Sequence, residues 1–341
     1  MRGTGPESDI VVSSRIRLAR NLADFPFIRR CSDEDRISIE RTVRAKMEKL
    51  EGWKEVHYFD LEQLTEIDRQ FLVERQLVSR EIADADGARG VAVSPTEQFS
   101  VMVNEEDHLR IQVMHSGLDL KSVWTQINSL DDQLESSILY AFHSTFGYLT
   151  SCPTNVGTGL RVSVMLHLPA LVITRQIEKV FRSMQRINVT VRGLYGEGSQ
   201  YSGDFYQVSN QTTLGRSETE LVELVGDNVV PRIIEYERKA RQYLLDEGKQ
   251  DLHDDVSRSL GILSTAKKIS SEETMHYLSK VRLGLNLGLI DDLAVGTINK
   301  LFMQTQPAHL QKLQGRLLRS SERNVERATY LQRHLSDAFG D

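Results

Sequence analysis

The chain has 341 residues, 40% of them hydrophobic and 26% charged, with a formal net charge of −6, an ordinary balance for a globular protein of one large domain or two ordinary ones. No apolar run is long enough to argue a membrane span, the opening MRGTGPESDI lacks the apolar centre of a secretion signal, and the acidic balance gives no global attraction for nucleic acid. Two cysteines, Cys31 and Cys152, are too few for a disulfide framework and lack ligand-spaced histidines, so a reducing cytoplasm and no protein-held metal are expected.

In chain order, residues 33–50 space Ile37, Val43 and Met47 on a helical face, with acidic residues leading and basic ones trailing as the helix dipole prefers. Residues 61–83 read as a second, highly charged helix. Strict alternation then takes over. Phe99, Val101 and Val103 share one face of 98–104. Leu109, Ile111 and Val113 share one face of 109–115. Leu160, Val162, Val164, Leu166 and Leu168 share one face of 160–168. Such alternation predicts half-buried strands, most simply antiparallel. Residues 187–198 and 204–210 read as two more strands around a glycine-rich turn, and helical stretches at 130–146 and 170–186 would cover one face. The expectation for 1–222 is an α+β domain on an antiparallel sheet. Residues 223–341 carry helical periodicity throughout, with Ser271 followed by Glu273 and Thr274 as a helix start, and predict an all-helical C-terminal domain.

Arginine outnumbers lysine 30 to 12, and arginine's planar fork of donors matches phosphate and carboxylate. Four stretches concentrate the chemistry. In SSRIRLARN, Arg15 and Arg17 follow Ser13 and Ser14. An extended backbone would send both arginines to one side, either toward a polyphosphate or along a solvated strand edge. In NEEDHLR, Glu105, Glu106 and Asp107 stand in a row before Arg110. This is either an acidic surface turn or a carboxylate that grips a cation while Arg110 faces an anion. In SCPTNVGTGLR, Cys152 is either a buried inert thiol or a thiolate supported by Thr154, beside a Gly157-Thr158-Gly159 turn and Arg161. In RGLYGEG, Arg192 and Glu197 flank glycines that make either a plain hairpin or a closing flap. No GxxxxGK[ST] is present, and neither are the HRD and DFG sets of the protein Ser/Thr/Tyr kinases.

Taken together, CPTNVGTGLR, SSRIRLAR, NEEDHLR and RGLYGEG resemble, in order and spacing, the motifs of the phosphagen (guanidino) kinases over roughly residues 8–215. Within that family the chain is most similar to the bacterial protein-arginine kinases of the McsB type. Only twelve residues precede the SSR motif, where free-guanidine kinases carry a helical lobe, and a helical segment follows the catalytic part. The fold implied is an antiparallel-sheet phosphagen-kinase catalytic domain with flanking helices, followed by an all-α dimerisation or regulatory domain. The resemblance implies ATP and Mg²⁺ as cofactors, with the metal held largely by phosphates and water. It implies an ATP site from Ser13, Ser14, Arg15, Ile16, Arg17, Gln76, Arg110, Arg161, Val162, Ser163, Val164, Met165, Arg192, Gly193, Leu194, Tyr195, Gly196 and Glu197. Gln76 stands where the family has a nucleotide-side histidine. Glu106 and Glu197 would bracket the substrate guanidinium, with Glu106 as base and Cys152 beside it.

The stretch RNVERA, with Arg323, Asn324, Val325, Glu326, Arg327 and Ala328, is similar to an RDxxRA motif that would form an allosteric phosphoarginine pocket. Asn324 replaces its acid, and without that match the stretch is a charged helix face. Implied partners are arginine-containing protein substrates, a zinc-containing activator, a stress-gene repressor, an AAA+ unfoldase with its protease, and a second copy of the chain. The implied activity is phosphorylation of protein arginines as a degradation mark in the heat-shock response. The alternatives are a kinase of free arginine and a phosphoarginine-binding adaptor with a silent kinase domain.

Overall fold

The computed structural model describes residues 3–193, 202–291 and 293–339. Its centre is an eight-stranded antiparallel sheet. The strands are β1 (Val11–Arg20), β2 (His57–Asp60), β3 (Gly90–Val93), β4 (Phe99–Val103), β5 (Leu109–Ser116), β8 (Leu160–His167), β9 (Val189–Gly193) and β10 (Phe205–Asn210), ordered β2-β3-β4-β5-β1-β8-β10-β9. A small separate hairpin pairs β6 (Phe142–His143) with β7 (Gly147–Tyr148). The α+β architecture on an antiparallel sheet agrees with the sequence expectation.

Alternation does what the pleat dictates. Leu109, Ile111 and Val113 of β5, Ile16 and Leu18 of β1, and Leu160, Val162, Val164 and Leu166 of β8 all enter one core. Each such side chain withdrawn from water contributes about 1.5–3 kcal/mol before conformational entropy is counted. This face is covered by α4 (Leu120–Glu135), α5 (Pro169–Ile173), α6 (Ile177–Gln185) and α8 (Val230–Glu247), with α1 (Asp33–Met47) beside them. A short helix α7 (Glu218–Glu223) and a π-helical turn Leu224–Val229 lead into α8.

The other face is divided. Met165 of β8, Val12 of β1 and Phe205 of β10 pack into a second cluster with helices α9 (Lys249–Thr265), α10 (Ser271–Asn286), α11 (Val295–Gln304) and α13 (Ser320–Phe339). The strands expected to be half-buried are therefore buried on both faces there. The remaining part of that face carries the polar site. Helices α2 (Glu66–Glu74) and α3 (Arg80–Asp84) form a third small core over β3 and β4. Helix α12 (Pro307–Gln314) docks on α2, where Glu74 accepts hydrogen bonds from the backbone N–H groups of Ala308 (2.8 Å) and His309 (2.9 Å).

Several elements differ from the sequence expectation. The stretch 61–83 is two short helices with a break at Gln76, whose φ of 60° is left-handed. The helix expected at 130–146 spans Leu120–Glu135, and 142–148 is the hairpin. The stretch 170–186 splits at Arg175, which also has positive φ. Ile39 rather than Ile37 is buried on α1. The cap of α10 is Ser270, whose hydroxyl accepts from the Glu273 N–H while Glu273 accepts from the Ser270 N–H, a full capping box. Among the described residues no helix is long and apolar enough to cross a membrane.

Candidate active site

Strand register assembles the site. Arg17 of β1 lies directly opposite Arg161 of β8 on one side and Gln112 of β5 on the other. Arg15 pairs with Ser163, Ala19 with Arg110, Met165 with Gln207, and Gln207 with Arg192. Residues in register share a face. Arg15, Arg17, Arg110, Arg161 and Arg192 therefore line one cleft of about 620 Å³ together with Gln76, Glu105, Glu106 and Cys152. Four segments far apart in sequence meet here because β5, β1, β8 and β10 are consecutive in the sheet.

The cationic group is under strain. Burial, then Arg110 and Arg161, lower Arg15 to about 10. Burial, then Arg110, Arg15 and Arg161, hold Arg17 well below the usual arginine range. The Arg17 Nε is buried and finds no hydrogen-bond partner among the described residues. One acid compensates in part: Glu105 forms an ion pair with Arg110 and accepts from the Ser79 hydroxyl (2.7 Å). Burial alone would raise Glu105, yet Arg110, the Glu106 N–H, Ser79 and Arg17 outweigh it and hold its carboxyl low. Buried cations that repel one another, with an orphaned donor among them, fit a polyanionic ligand such as a nucleotide triphosphate.

The next two acids differ in role. Asp107 is buried, and its Oδ1 accepts from Asn21 Nδ2 (2.7 Å) and from the Ser151 N–H (2.6 Å). It thus fastens the Cys152 loop to the Glu106 turn. Asn21 adds a bond to the Leu149 carbonyl (3.0 Å). Glu106 lines the cleft. Burial, then Asp107 and Glu105, raise its carboxyl above the usual range. Cys152 lies on the same wall with its Sγ 3.0 Å from Thr154 Oγ1.

The other expected nucleotide-site residues divide by strand parity. Ile16, Val162 and Val164 place their side chains in the core beneath, and Met165 packs toward the C-terminal helices. Ser13 lies on β1 opposite Met165. The Ser14 hydroxyl donates to the Gly117 carbonyl (2.8 Å) and accepts from the Asp119 N–H (3.0 Å), a structural use. The Ser163 hydroxyl bonds the Arg15 carbonyl (3.2 Å). Gly193 ends β9. Leu194, Tyr195, Gly196 and Glu197 lie outside the described residues.

In the C-terminal stretch, Arg323 lines a separate cleft of about 490 Å³ between α2 and α12, which also includes Arg80. Arg327 is buried. Its Nε donates to the Thr305 carbonyl (2.8 Å), and its Nη1 donates to the Ile269 carbonyl (3.0 Å) and to Asn324 Oδ1 (2.8 Å). Ala328 is in the core, Glu326 pairs with Arg316, and Val325 is exposed.

Sequence reasoning passed over Ser79, Asn21 and Gln207. Gln207 was legible as a polar residue alternating with apolar ones in DFYQVSN. Nothing local marks Ser79 or Asn21, whose partners lie 26 and 86 residues away. Among the described residues, no three His, Cys, Asp or Glu side chains cluster as a metal site. The acids of the cleft leave Mg²⁺ to ride on the phosphates of a bound nucleotide.

Comparison with known proteins agrees with this geometry. The family described as ATP:guanido phosphotransferase, C-terminal catalytic domain, matches residues 38–240, and the protein-arginine kinase McsB C-terminal domain matches 249–339. The protein-arginine kinase of Halothermothrix orenii is 46% identical over 98% of this chain and 95% of its own length. That of Bacillus subtilis is 43% identical over 98% and 92%. Among solved structures, lombricine kinase superposes with a TM-score of 0.61 at 26% identity, over 73% of this chain and 70% of that one. The duplicated taurocyamine kinase of Schistosoma mansoni gives 0.62 at 26%, over 78% and 38%. An arginine-lined face on an antiparallel sheet, sequence likeness over nearly the whole length and a matching C-terminal segment place this chain in the ATP:guanido phosphotransferase family, among the protein-arginine kinases.

Proposed function

We propose that this protein transfers the γ-phosphoryl group of ATP to the guanidinium of arginine side chains in other proteins. The observation that carries the proposal is the register placing five arginines on one face of the sheet, in a cleft that also holds Glu106 and Cys152. A terminal nitrogen of the substrate guanidinium attacks the γ-phosphorus, the bond from that phosphorus to the β–γ bridging oxygen breaks, and ADP leaves. The proton lost from nitrogen passes to the Glu106 carboxylate. A guanidinium holds its proton to a pH above about 12, so the base must act as the N–P bond forms. Burial beside Asp107 and Glu105, which raises the Glu106 carboxyl, strengthens it as a base.

Arg15, Arg17, Arg110, Arg161 and Arg192 would hold the phosphate oxygens as charge shifts from the γ- to the β-phosphate, the electrostatic positioning that phosphoryl transfer mainly requires. The segments Ser13–Arg17, 161–165 and 192–197, with Gln76 on the nucleotide side, would complete the ATP site. Mg²⁺, when bound on the phosphates, neutralises their charge. Cys152 would orient the guanidinium, and Glu197 would bracket it opposite Glu106 by accepting parallel N–H bonds.

The test is incubation of wild type and Glu106→Ala with Mg-ATP and an unstructured arginine-rich protein, read by intact mass and acid lability. Wild type should yield acid-labile phosphoarginine, and the variant should lose about 10²–10⁴-fold in rate. Turnover of free arginine with no marked protein would shift the reading to a small-guanidine kinase.

From family membership we carry further proposals. The phosphoarginine marks proteins for regulated degradation in the bacterial heat-shock response, in the cytoplasm. Its partners there are a zinc-containing activator, a stress-gene repressor and an AAA+ unfoldase with its protease. The chain forms homodimers through its C-terminal helices. The stretch 323–328 senses phosphoarginine, with Arg323 at the cleft and Arg327 supporting it from beneath. The division into catalytic and regulatory parts is proposed from sequence at 222/223, and the packing of α8 into the sheet core favours a break nearer residue 248.

A further inference from the structure

The β6–β7 hairpin presents an apolar surface that no element of the chain covers. Twelve large apolar side chains are exposed among the described residues, and four of them gather around the loop that carries Cys152. They are Leu139 (71% exposed), Phe142 (59%), Phe146 (50%) and Leu214 (55%). The backbone ties them together. Tyr148 of the hairpin and Gly157 of the Cys152 loop exchange hydrogen bonds (2.8 and 3.2 Å). The Thr213 hydroxyl donates to the carbonyls of Thr154 (2.9 Å) and Val156 (2.7 Å), which brings Leu214 against Gly157 from the other side. The inward rings of the hairpin are already used: Tyr148 lies under the Arg20 guanidinium at 3.6 Å, and Tyr140 packs edge-on against Tyr148. Phe142 and Phe146 are left outside. A two-residue-paired hairpin is marginal by itself. Holding two phenylalanines in water on such an element is costly unless something covers them.

We infer that this apolar rim binds the polypeptide flanking the arginine to be phosphorylated, and that the preferred substrate is an extended, unfolded segment with large apolar residues near that arginine. The inference rests on the proposed protein-arginine kinase activity. Three observations select this occupant. The rim is continuous, through Gly157, with the loop whose Cys152 and Thr154 line the catalytic cleft. An arginine side chain reaches only about 6–7 Å, and each extended residue adds about 3.3–3.6 Å. A chain that delivers its guanidinium to Glu106 must therefore lay its next few residues on the cleft's edge. The rim is also free of lysine and arginine, so it does not repel a cationic segment, whereas the cleft interior is dense in arginine. Folded proteins bury their large apolar residues. A rim of this kind would therefore favour arginines that unfolding has exposed.

The experiment compares two short peptides, each with one arginine, flanked at the two neighbouring positions on each side by Leu and Phe or by Gly and Ser. The full chain is used as wild type, as Phe142→Ser/Phe146→Ser, and as Leu214→Ser in case the hairpin variant folds poorly. Wild type should favour the apolar peptide about tenfold in kcat/KM, mainly through KM. Each variant should reduce that ratio severalfold while the KM for ATP stays put. Equal kcat/KM for both peptides in wild type overturns the inference and leaves the proposed activity standing, as does an unchanged ratio in the variants. A change of oligomeric state in the variants, read by light scattering, with selectivity intact would assign the patch to a second copy of the chain and also overturn it. Phosphorylation of neither peptide alongside turnover of free arginine overturns the proposed function itself, and this inference with it.

Discussion

Arg17 shows what the site costs the fold. It is buried beside Arg15, Arg110 and Arg161, its guanidinium is held well below its usual pKa, and its Nε has no partner among the described residues. An unliganded cleft built this way is destabilised for the sake of its ligand. Arg17→Gln should raise stability without nucleotide by about 1 kcal/mol, read as a higher urea midpoint, while phosphoryl transfer is lost. A lower midpoint would mean that the arginine is structural. At the neighbouring turn, Asp107 raises the Glu106 carboxyl by its charge while its Oδ1 receives Asn21 and the Ser151 N–H. Asparagine can keep that acceptor and drop the charge. The acid limb of the kcat/KM profile belongs to a base that must be deprotonated. In wild type it should lie above the ordinary carboxylate range, and Asp107→Asn should move it to lower pH. An unmoved limb would show that Glu106 is not the titrating base.

At the scale of elements, helix ends carry more information than helix middles. The box at Ser270 satisfies two backbone donors of α10. Ser270→Ala should cost about 1 kcal/mol, whereas Ser271→Ala should stay within about 0.5; chemical denaturation of the pair separates the two serines. Both fit the local pattern, and only the backbone path chooses between them. Helix α12 begins without a side-chain cap of its own. Glu74, at the end of α2, fills that place by accepting from Ala308 and His309. A partner 234 residues away leaves no local trace in sequence. The same holds at Gln76, where α2 stops: its carbonyl accepts from Gln112 Nε2 (2.6 Å) and its left-handed backbone breaks what periodicity alone reads as one long helix.

Across the whole molecule, Arg282 of α10 binds the N-terminal turn, the sheet and α11 at once. It donates to the carbonyls of Ser8 and Asp9, to His167 Nδ1 (2.7 Å) and to Asn299. His167 in turn donates from Nε2 to the Ser279 hydroxyl (2.8 Å), which donates to Asp204. Burial, then Arg282 and Arg241, push His167 well below the usual histidine range, so it is neutral in the fold. The unfolded chain takes up a proton near pH 6.5 and the folded chain does not. The stability from neutral His167 is therefore complete above about pH 6.5 and falls as the pH drops below it, by up to about 1.4 kcal/mol per unit. His108, lowered first by burial, adds in the same direction. Denaturant midpoints between pH 7.5 and 5.5 should fall, and His167→Gln should flatten the fall. An equal slope in the variant would exclude His167 as its source.

The sequence by itself determined the core face of the sheet, because a strand's pleat repeats every two residues and burial follows that period. It also determined the family, because the four motifs and their spacing are carried within short stretches of chain. Only the tertiary structure decided which arginines share one face, since this depends on the registers among β1, β5, β8, β9 and β10. Only it separated the roles of the three consecutive acids, pairing Glu105 with Arg110, fixing Asp107 to the Cys152 loop and leaving Glu106 at the cleft. A carboxylate's basicity is set by what lies within a few ångströms of it, and here those neighbours come from distant parts of the chain.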